Sequence, residues 1–314
     1  MKGVCRSMGP WVRRSFGPWV LGTALLAGAS VAAQAPVPAR TSSELRQKMQ
    51  TQLESIAARV DGVMGYTIVD LTNGERVDRL QDEVFPLAST IKLSILYELF
   101  KQADEGKVNL DRILALDRRH VVAGTGVLIE LGTPSLALRD YATLMIVLSD
   151  NTATNVLIDV VGMRNVTARM TGAGLPSLKL RRKMIDLAAA RRGDENVGSS
   201  SDVAKLLGMI HRGEGLRKES AAALVAILKK PKATALRRGV DASVEVADKS
   251  GTLDGVESDA GIVYLPGRPY IFAATTTYLK NNAAGEAAIT AASRAAFDYF
   301  SRIANSSEYG RSLR

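Results

Sequence analysis

The sequence predicts an α+β fold of three layers, α/β/α, with an antiparallel sheet in the middle. Two observations support this prediction. Strand-like segments occur near both ends of the chain, whereas the segment from Asp104 to His211 has mainly helical periodicity. Strands that come from both ends and pair in one sheet must carry the intervening helices as an insertion. We expect a sheet part over about 44–88 and 213–314, an all-helical part over about 89–212, and the functional site between them.

The strands are marked by apolar runs that end in turn residues. Val63–Leu71 and Arg76–Leu80 flank Asn73-Gly74, a pair typical of tight hairpins. Three further strands are predicted after the helical part, with Pro266-Gly267 as the turn between the last two. Their ranges are Val244–Ser250, Gly261–Leu265 and Tyr270–Thr277.

Helices at the two ends are predicted to cover one face of the sheet. Thr41 and Glu44 fit a capping box, and apolar side chains then recur with helical spacing. The final helix is predicted over Glu286–Ile303, and the segment 180–199 is interpreted as a long loop with a short helical turn. The other predicted helices are Arg139–Leu148, Ala153–Val161, Met163–Met170, Asp202–Arg212 and Ser220–Lys229.

Residues 1–33 are interpreted as a secretory signal peptide. A basic segment that includes Arg13-Arg14 precedes an apolar stretch too short for a transmembrane helix. Val31-Ala32-Ala33 then resembles a cleavage site, and the basic pair partly matches a twin-arginine signal. Residues 34–43 follow as a flexible linker. We expect a periplasmic or secreted protein with no stable membrane insertion after the signal is removed.

The composition of the chain argues against several classes of function. The 314-residue chain has a formal net charge of +9 but no Lys/Arg block with interleaved aromatic residues, so nucleic-acid binding is not expected. The two histidines, His120 and His211, are far apart, and the one cysteine, Cys5, lies in the leader. These facts disfavour a metal site and a Ser–His–Asp hydrolase. We predict no cofactor, and we expect residues 44–314 to form one monomeric domain.

Ser89 and Lys92 begin an apolar helix around which the chain is organised. Residues three apart lie on one side of a helix, so Lys92 can reach back to the Ser89 hydroxyl. Apolar surroundings favour neutral lysine, which can accept the serine proton and so produce a nucleophile. About one S-x-x-K is expected by chance in such a chain, so this motif alone favours a core helix capped by Ser89.

Two further motifs favour a functional site at Ser89 over a capped core helix. Ser149-Asp150-Asn151 follows an apolar helix, and Lys249-Ser250-Gly251-Thr252 ends a predicted strand. Each alone has a structural explanation, as adjoining helix caps or as a solvated strand end. Three such motifs in this order are hard to attribute to chance. Together they resemble the signature of penicillin-recognising serine enzymes, and their spacing is most similar to class A β-lactamases, from about Thr41 to the C-terminus.

The resemblance implies a role for each motif. Ser89 would be the acylated nucleophile and Lys92 its base. Ser149, helped by Lys249, would relay a proton to the leaving nitrogen. Asn151 would bind the amide side chain of the substrate.

The same resemblance implies how the substrate is held. The N–H groups of Ser89 and Thr252 would form the oxyanion hole. The hydroxyls of Ser250 and Thr252 would bind the substrate carboxylate, and Lys249 would supply positive charge. Gly251 would let the substrate lie close to the strand backbone.

Two residues of the class A pattern are missing. Class A enzymes carry a glutamate for deacylation in a long loop, at a place that falls near residue 185 here, and no glutamate occurs there. Asp186 is the nearest carboxylate and the candidate base, although an ion pair with a neighbouring arginine, Arg181 or Arg182, fits it equally well. The arginine that often helps bind the substrate carboxylate is also absent from Glu257–Gly261. Its candidate replacements are Arg237 and Arg238.

The favoured function is a secreted β-lactamase that opens a small-molecule β-lactam through an acyl-enzyme at Ser89. One alternative is a D-alanyl-D-alanine peptidase or esterase on the same fold, with a D-alanyl peptide as substrate. The other is a penicillin-binding sensor that deacylates slowly. The complete motifs favour the enzymes, whereas the missing glutamate favours the peptidase or the sensor.

Overall fold

A five-stranded antiparallel sheet lies at the centre of the computed structural model, which describes residues 40–313. The strands are β1 (Val63–Asp70), β2 (Arg76–Arg79), β3 (Phe85–Pro86), β4 (Ile113–Ala115), β5 (Ser135–Ala137), β6 (Val197–Gly198), β7 (Val246–Leu253), β8 (Val256–Val263) and β9 (Tyr270–Thr277). Their order in the large sheet is β2-β1-β9-β8-β7, while β3 pairs with β6 and β4 with β5. The predicted signal peptide and residues 34–39 lie outside the described residues.

The helices surround this sheet. They are α1 (Arg40–Ala58), α2 (Lys92–Asp104), α3 (Leu138–Val147), α4 (Asn151–Val161), α5 (Met163–Gly172), α6 (Leu187–Arg191), α7 (Ser200–Arg212), α8 (Lys218–Lys229), α9 (Ala235–Gly239) and α10 (Asn282–Ala304). Helix α1 begins at Arg40, inside the predicted linker, because the first N–H groups of a helix need no partner within it and Thr and Ser are tolerated there. Across residues 40–313, no helix has the length and hydropathy that a membrane span requires.

The α+β fold in three layers is confirmed. Strand β1 from the first part of the chain pairs with β9 from the last part along its whole length, from Val63 opposite Thr277 to Asp70 opposite Tyr270. The sheet is therefore built from strands of both parts of the chain. The insertion between them was predicted to be all-helical, but besides the helices α2 to α7 it contains the short strands β4, β5 and β6.

Side chains on the two faces of the sheet belong to different cores. On β9, Phe272 and Ala274 pack in the core that α1, α9 and α10 complete. Ile271 and Ala273 point the other way, into the core shared with α2 to α5, α7 and α8. This alternation follows from the two-residue period of a strand. The middle layer is thus buried on both faces.

Strands β7 and β8 are longer than the sequence indicated. The predicted strand ended at Ser250, but β7 continues to Leu253, and β8 begins at Val256 rather than Gly261. Gly255 makes the intervening turn with φ +74°, a backbone conformation that favours glycine. The pattern was missed because charged residues such as Asp259 interrupt the apolar run, yet this side chain is fully buried.

We predict that Gly239→Ala destabilises the protein. A Cβ at Gly239, at the end of α9, would lie 2.4 Å from Ser293 Oγ and 2.5 Å from Ser293 Cβ on α10. Overpacking of this kind typically costs about 1–3 kcal/mol of stability. The free energy of unfolding measured by urea denaturation should therefore fall by that amount. Gly172→Ala is the matched control, because a Cβ there has nothing within 4 Å and should leave stability unchanged or slightly raised. Equal losses in both variants would contradict the packing argument.

Candidate active site

Ser89 is presented by a sharp change in backbone direction. Strand β3 leads into Ala88, whose φ of +48° is unusual for a residue with a Cβ, and a 3₁₀ turn then runs over Ala88–Ile91 into α2. Residues three apart nearly eclipse in a 3₁₀ turn, so Ser89 and Lys92 share one side, as predicted. Ser89 is half-buried and lines a cleft of about 340 Å³.

Lys92 is completely buried and directs its amine at the Ser149-Asp150-Asn151 segment. Its Nζ donates to Ser149 O at 2.8 Å, to Ser149 Oγ at 3.1 Å and to Asn151 Oδ1 at 3.1 Å. Burial, together with the positive charge of Lys249, holds the pKa of Lys92 well below its ordinary value, although Asp150 opposes the shift. The Ser89 hydroxyl, which the sequence analysis placed within reach of Lys92, is not among its hydrogen-bond partners within the described residues.

The Asp150 carboxylate holds the loop that carries Ser149. It accepts hydrogen bonds from the N–H groups of Ala153 at 2.8 Å, Val127 at 2.7 Å and Leu128 at 3.0 Å. Ser149 itself has φ +52°, so its backbone is strained. Three bonds to the buried Asp150 carboxylate hold the loop in this conformation.

Lys249 approaches the same hydroxyl from strand β7. Its Nζ donates to Ser149 Oγ at 3.1 Å and to Ser250 O. Burial lowers the pKa of Lys249 to about 8, while the nearby carboxylates of Asp259 and Asp248 partly offset the shift. Ser149 Oγ is therefore a shared acceptor for two buried lysines that lie far apart in the sequence.

Buried carboxylates lie behind Lys249. Asp248 is fully buried and accepts from Arg237 Nε at 2.8 Å and Thr234 Oγ1 at 2.7 Å. Asp259 accepts from Leu236 N at 2.8 Å, and its other oxygen is buried without a hydrogen bond. Burial and the charge of Asp248 raise the pKa of Asp259. Sequence reasoning missed this pair, and the signal that could have found it is the two acidic residues inside otherwise apolar strands.

Gly251 allows β7 to lie directly against the turn that carries Ser89. A Cβ at this position would be 2.5 Å from Ser89 N and 2.8 Å from Leu87 O, both of which belong to backbone. Only glycine fits such an approach. The sequence analysis assigned Gly251 to close approach of the substrate, whereas the close approach in the structure is to the protein's own turn.

The environment of Thr252 differs from the arrangement that the resemblance implied. Its hydroxyl donates to Glu257 Oε2 at 2.9 Å. The two candidate arginines are engaged elsewhere, because Arg237 pairs with Asp248 and Arg238 pairs with Glu286. Neither arginine lines the cleft.

Asp186 lies outside the cleft. It is exposed and caps the short helix α6, where its carboxylate accepts from Ala189 N at 2.9 Å. The neighbouring residues Met184 and Ile185 line the cleft instead. The ion pair proposed as the alternative is also absent between these described residues, since Arg181 pairs with Asp194 and Arg182 with Glu195.

The cleft brings together most of the predicted site. Its lining includes these predicted residues: Ser89, Ser149, Asn151, Ser250, Gly251 and Thr252. Lys92 and Lys249 lie beneath it, bonded to Ser149. The structure adds two segments that the sequence did not indicate, Gly124–Thr125 and Glu195–Asn196. Both belong to loops without periodicity, so no local pattern marked them.

Comparisons with known proteins agree with this geometry. A family model described as the beta-lactamase enzyme family matches residues 47–300. The chain belongs to this family. An imipenem-hydrolyzing beta-lactamase from Enterobacter cloacae is 26% identical over 265 residues, which cover 82% of this chain and 91% of that protein.

Solved structures extend the family assignment. The structure of PBP-A superposes with a TM-score of 0.75 at 30% identity and covers 81% of this chain and 96% of that chain. A mutant of PBP-A, solved as an acyl-enzyme complex with penicillin G, has a TM-score of 0.75 at 29% identity and covers 81% and 97%. The resemblance to class A β-lactamases is confirmed, and the chain is a serine β-lactamase-type hydrolase.

We predict that Asp259→Asn lowers the pKa of Lys249 below its value of about 8. A negative charge nearby favours the ammonium form, so its removal favours neutral lysine and shifts the pKa down by about one unit. The measurement is a pH titration of lysine ε-carbons by ¹³C NMR, with the Lys249 resonance assigned by its absence in Lys249→Arg. Asp254→Asn, at an exposed residue of the β7–β8 turn, is the matched control. An unchanged pKa in Asp259→Asn would contradict the prediction.

Proposed function

We propose that the protein is an exported β-lactamase that opens the β-lactam amide through an acyl-enzyme at Ser89. The observation that carries this proposal is the shared position of Ser149 Oγ, 3.1 Å from Lys92 Nζ and 3.1 Å from Lys249 Nζ, in the cleft that Ser89 lines. Acylation needs a base for the serine and an acid for the leaving nitrogen, and this arrangement supplies both.

The acylation step follows from the protonation states of the lysines. Neutral Lys92, favoured by its lowered pKa, has two N–H groups, so one of its three donated hydrogen bonds is released and its lone pair can accept the proton of Ser89 Oγ as this oxygen attacks the β-lactam carbonyl carbon. The C–N bond then breaks while Ser149 gives its hydroxyl proton to the nitrogen. Lys92 or Lys249 returns a proton to Ser149, so the step leaves an ester on Ser89 and a protonated amine.

The substrate is proposed to bind between β7 and the 3₁₀ turn. The N–H groups of Ser89 and Thr252 would stabilise the oxyanion, which is usually the largest single contribution to such a reaction. Ser250 and Lys249 would bind the substrate carboxylate, and Asn151 the amide side chain. Thr252 would join them only if its hydroxyl left Glu257.

A specific observation also favours the second candidate, a D-alanyl-D-alanine peptidase or a slowly deacylating sensor. The segment of the cleft near residue 185 presents Met184 and Ile185, with no carboxylate among its described residues. A catalytic role for Asp186 stays a prediction. Export, a periplasmic location and a monomeric state are part of the proposal, and the first two depend on residues 1–33.

We predict that penicillin G adds its mass to the peptide that contains Ser89. The serine oxygen is the only atom that this mechanism acylates, so Ser89→Ala should form no adduct. The measurement is mass spectrometry of the intact protein and of its peptides after incubation with the drug. An adduct of equal yield in Ser89→Ala, or none in the native protein, would refute acylation at Ser89.

We predict that Lys92→Ala slows acylation by about two or more orders of magnitude, the usual effect of losing a general base. Because this change also leaves a cavity, Lys92→Met serves as a second variant that keeps most of the side-chain volume. Both variants should acylate slowly in stopped-flow measurements with a chromogenic cephalosporin, while thermal unfolding reports their stability. Acylation within about threefold of the native rate in Lys92→Met would assign Lys92 a packing role only.

A further inference from the structure

We propose that Glu195 is the base that activates water for deacylation, an inference that rests on the proposed function. Within residues 40–313, Glu195 is the only carboxylate that lines the cleft with Ser89. Its side chain is 29% exposed, so water can reach it. The cleft volume of about 340 Å³ leaves room for a water molecule beside an acyl group.

Backbone contacts hold Glu195 close to the nucleophile. The carbonyl of Asn196, the next residue, accepts from Leu87 N at 2.9 Å, and Leu87 precedes Ser89 by two residues. The pairing continues between β3 and β6, where Val197 lies opposite Pro86. Glu195 therefore lies just before the β6 end of this pairing. The β3 end of the same pairing leads into the 3₁₀ turn of Ser89.

Side-chain contacts fix the direction of the carboxylate. The Asn196 side chain accepts from Arg182 N at 3.1 Å and donates to Arg182 O at 3.2 Å, which joins the two ends of the loop. Arg182, itself almost completely buried, donates from Nη2 to Glu195 Oε2 at 2.8 Å. Glu195 Oε1 has no hydrogen-bond partner among the described residues, so this oxygen is free to accept from water.

The loop of residues 180–199 reaches the cleft with two arms, and the two arms present different kinds of side chain to it. The first arm presents the apolar side chains of Met184 and Ile185 to the cleft, and Asp186 turns away to cap α6. The second arm returns with Glu195. A carboxylate reaches the cleft, but from the opposite arm to the one that the class A resemblance indicated.

The proposed step balances as ester hydrolysis. Glu195 takes a proton from water while the water oxygen bonds to the ester carbonyl carbon. The bond from that carbon to Ser89 Oγ then breaks, and the proton held by Glu195 returns to Ser89 Oγ through the neighbouring polar groups. The product is a free carboxylic acid, and Ser89 and Glu195 recover their starting forms.

The test compares Glu195→Gln with a matched control on the same loop. Glutamine keeps an acceptor for Arg182 but cannot take a proton. Asp194→Asn removes the same charge from the adjacent residue, which has a similar exposure of 31% and does not line the cleft. Penicillin G is the probe, acylation and loss of the Ser89 adduct are followed by mass spectrometry, and thermal unfolding reports folding.

We expect Glu195→Gln to acylate within about threefold of the native rate and to lose its adduct about 10²–10⁴-fold more slowly, as for loss of a positioned base. Asp194→Asn should change neither rate. Native-like deacylation in Glu195→Gln would overturn the inference, as would a trapped adduct in Asp186→Asn instead. A native protein that keeps its adduct for hours would also overturn it while leaving acylation at Ser89 intact, whereas no native adduct at all would overturn the proposed function itself.

Discussion

Two buried lysines that share one hydroxyl oxygen are the constraint on which this structure depends. Because each Nζ lies 3.1 Å from Ser149 Oγ, the two amines are at most about 6 Å apart, and like charges at that distance repel by about 3 kcal/mol at an effective dielectric of about 20. Burial adds a desolvation cost to each charge. Both costs fall if one amine is neutral, and Lys92 has the more strongly lowered pKa. Burial, and secondly the charge of Lys249, therefore favour the neutral amine at Lys92 that the proposed mechanism requires.

The fold places carboxylates near both lysines and holds the site rigid, which reduces the cost of burying two amines close together. Asp150 lies beside Lys92 and ties the Ser149 loop to a neighbouring loop, while Asp248 and Asp259 support Lys249 from within the sheet. One lysine comes from the inserted helices and the other from the outermost strand. The site thus lies where the inserted helices meet the edge of the sheet.

Sequence analysis predicted the site residues whose relative positions follow from local spacing. It missed the residues that reach the site through pairing of distant segments. Ser89 and Lys92 lie one turn apart, so their shared side follows from helix geometry alone. Strands β3 and β6 span two residues each, too few for any periodic signal, yet their pairing brings Glu195 to the cleft. Asp186 was chosen by counting along the loop, and a count cannot tell which residue of a short helix serves as its cap.

The loop that carries Glu195 is attached separately from the two lysines. It joins the segment of Ser89 through a short strand pair and one backbone bond to Leu87, and it joins α4 through Asn155, which bonds to Met184. Lys92, Lys249 and Ser149 make no hydrogen bond to it within the described residues. If Glu195 acts as proposed, a change in this loop would therefore remove deacylation while the contacts of both lysines with Ser149 stay intact.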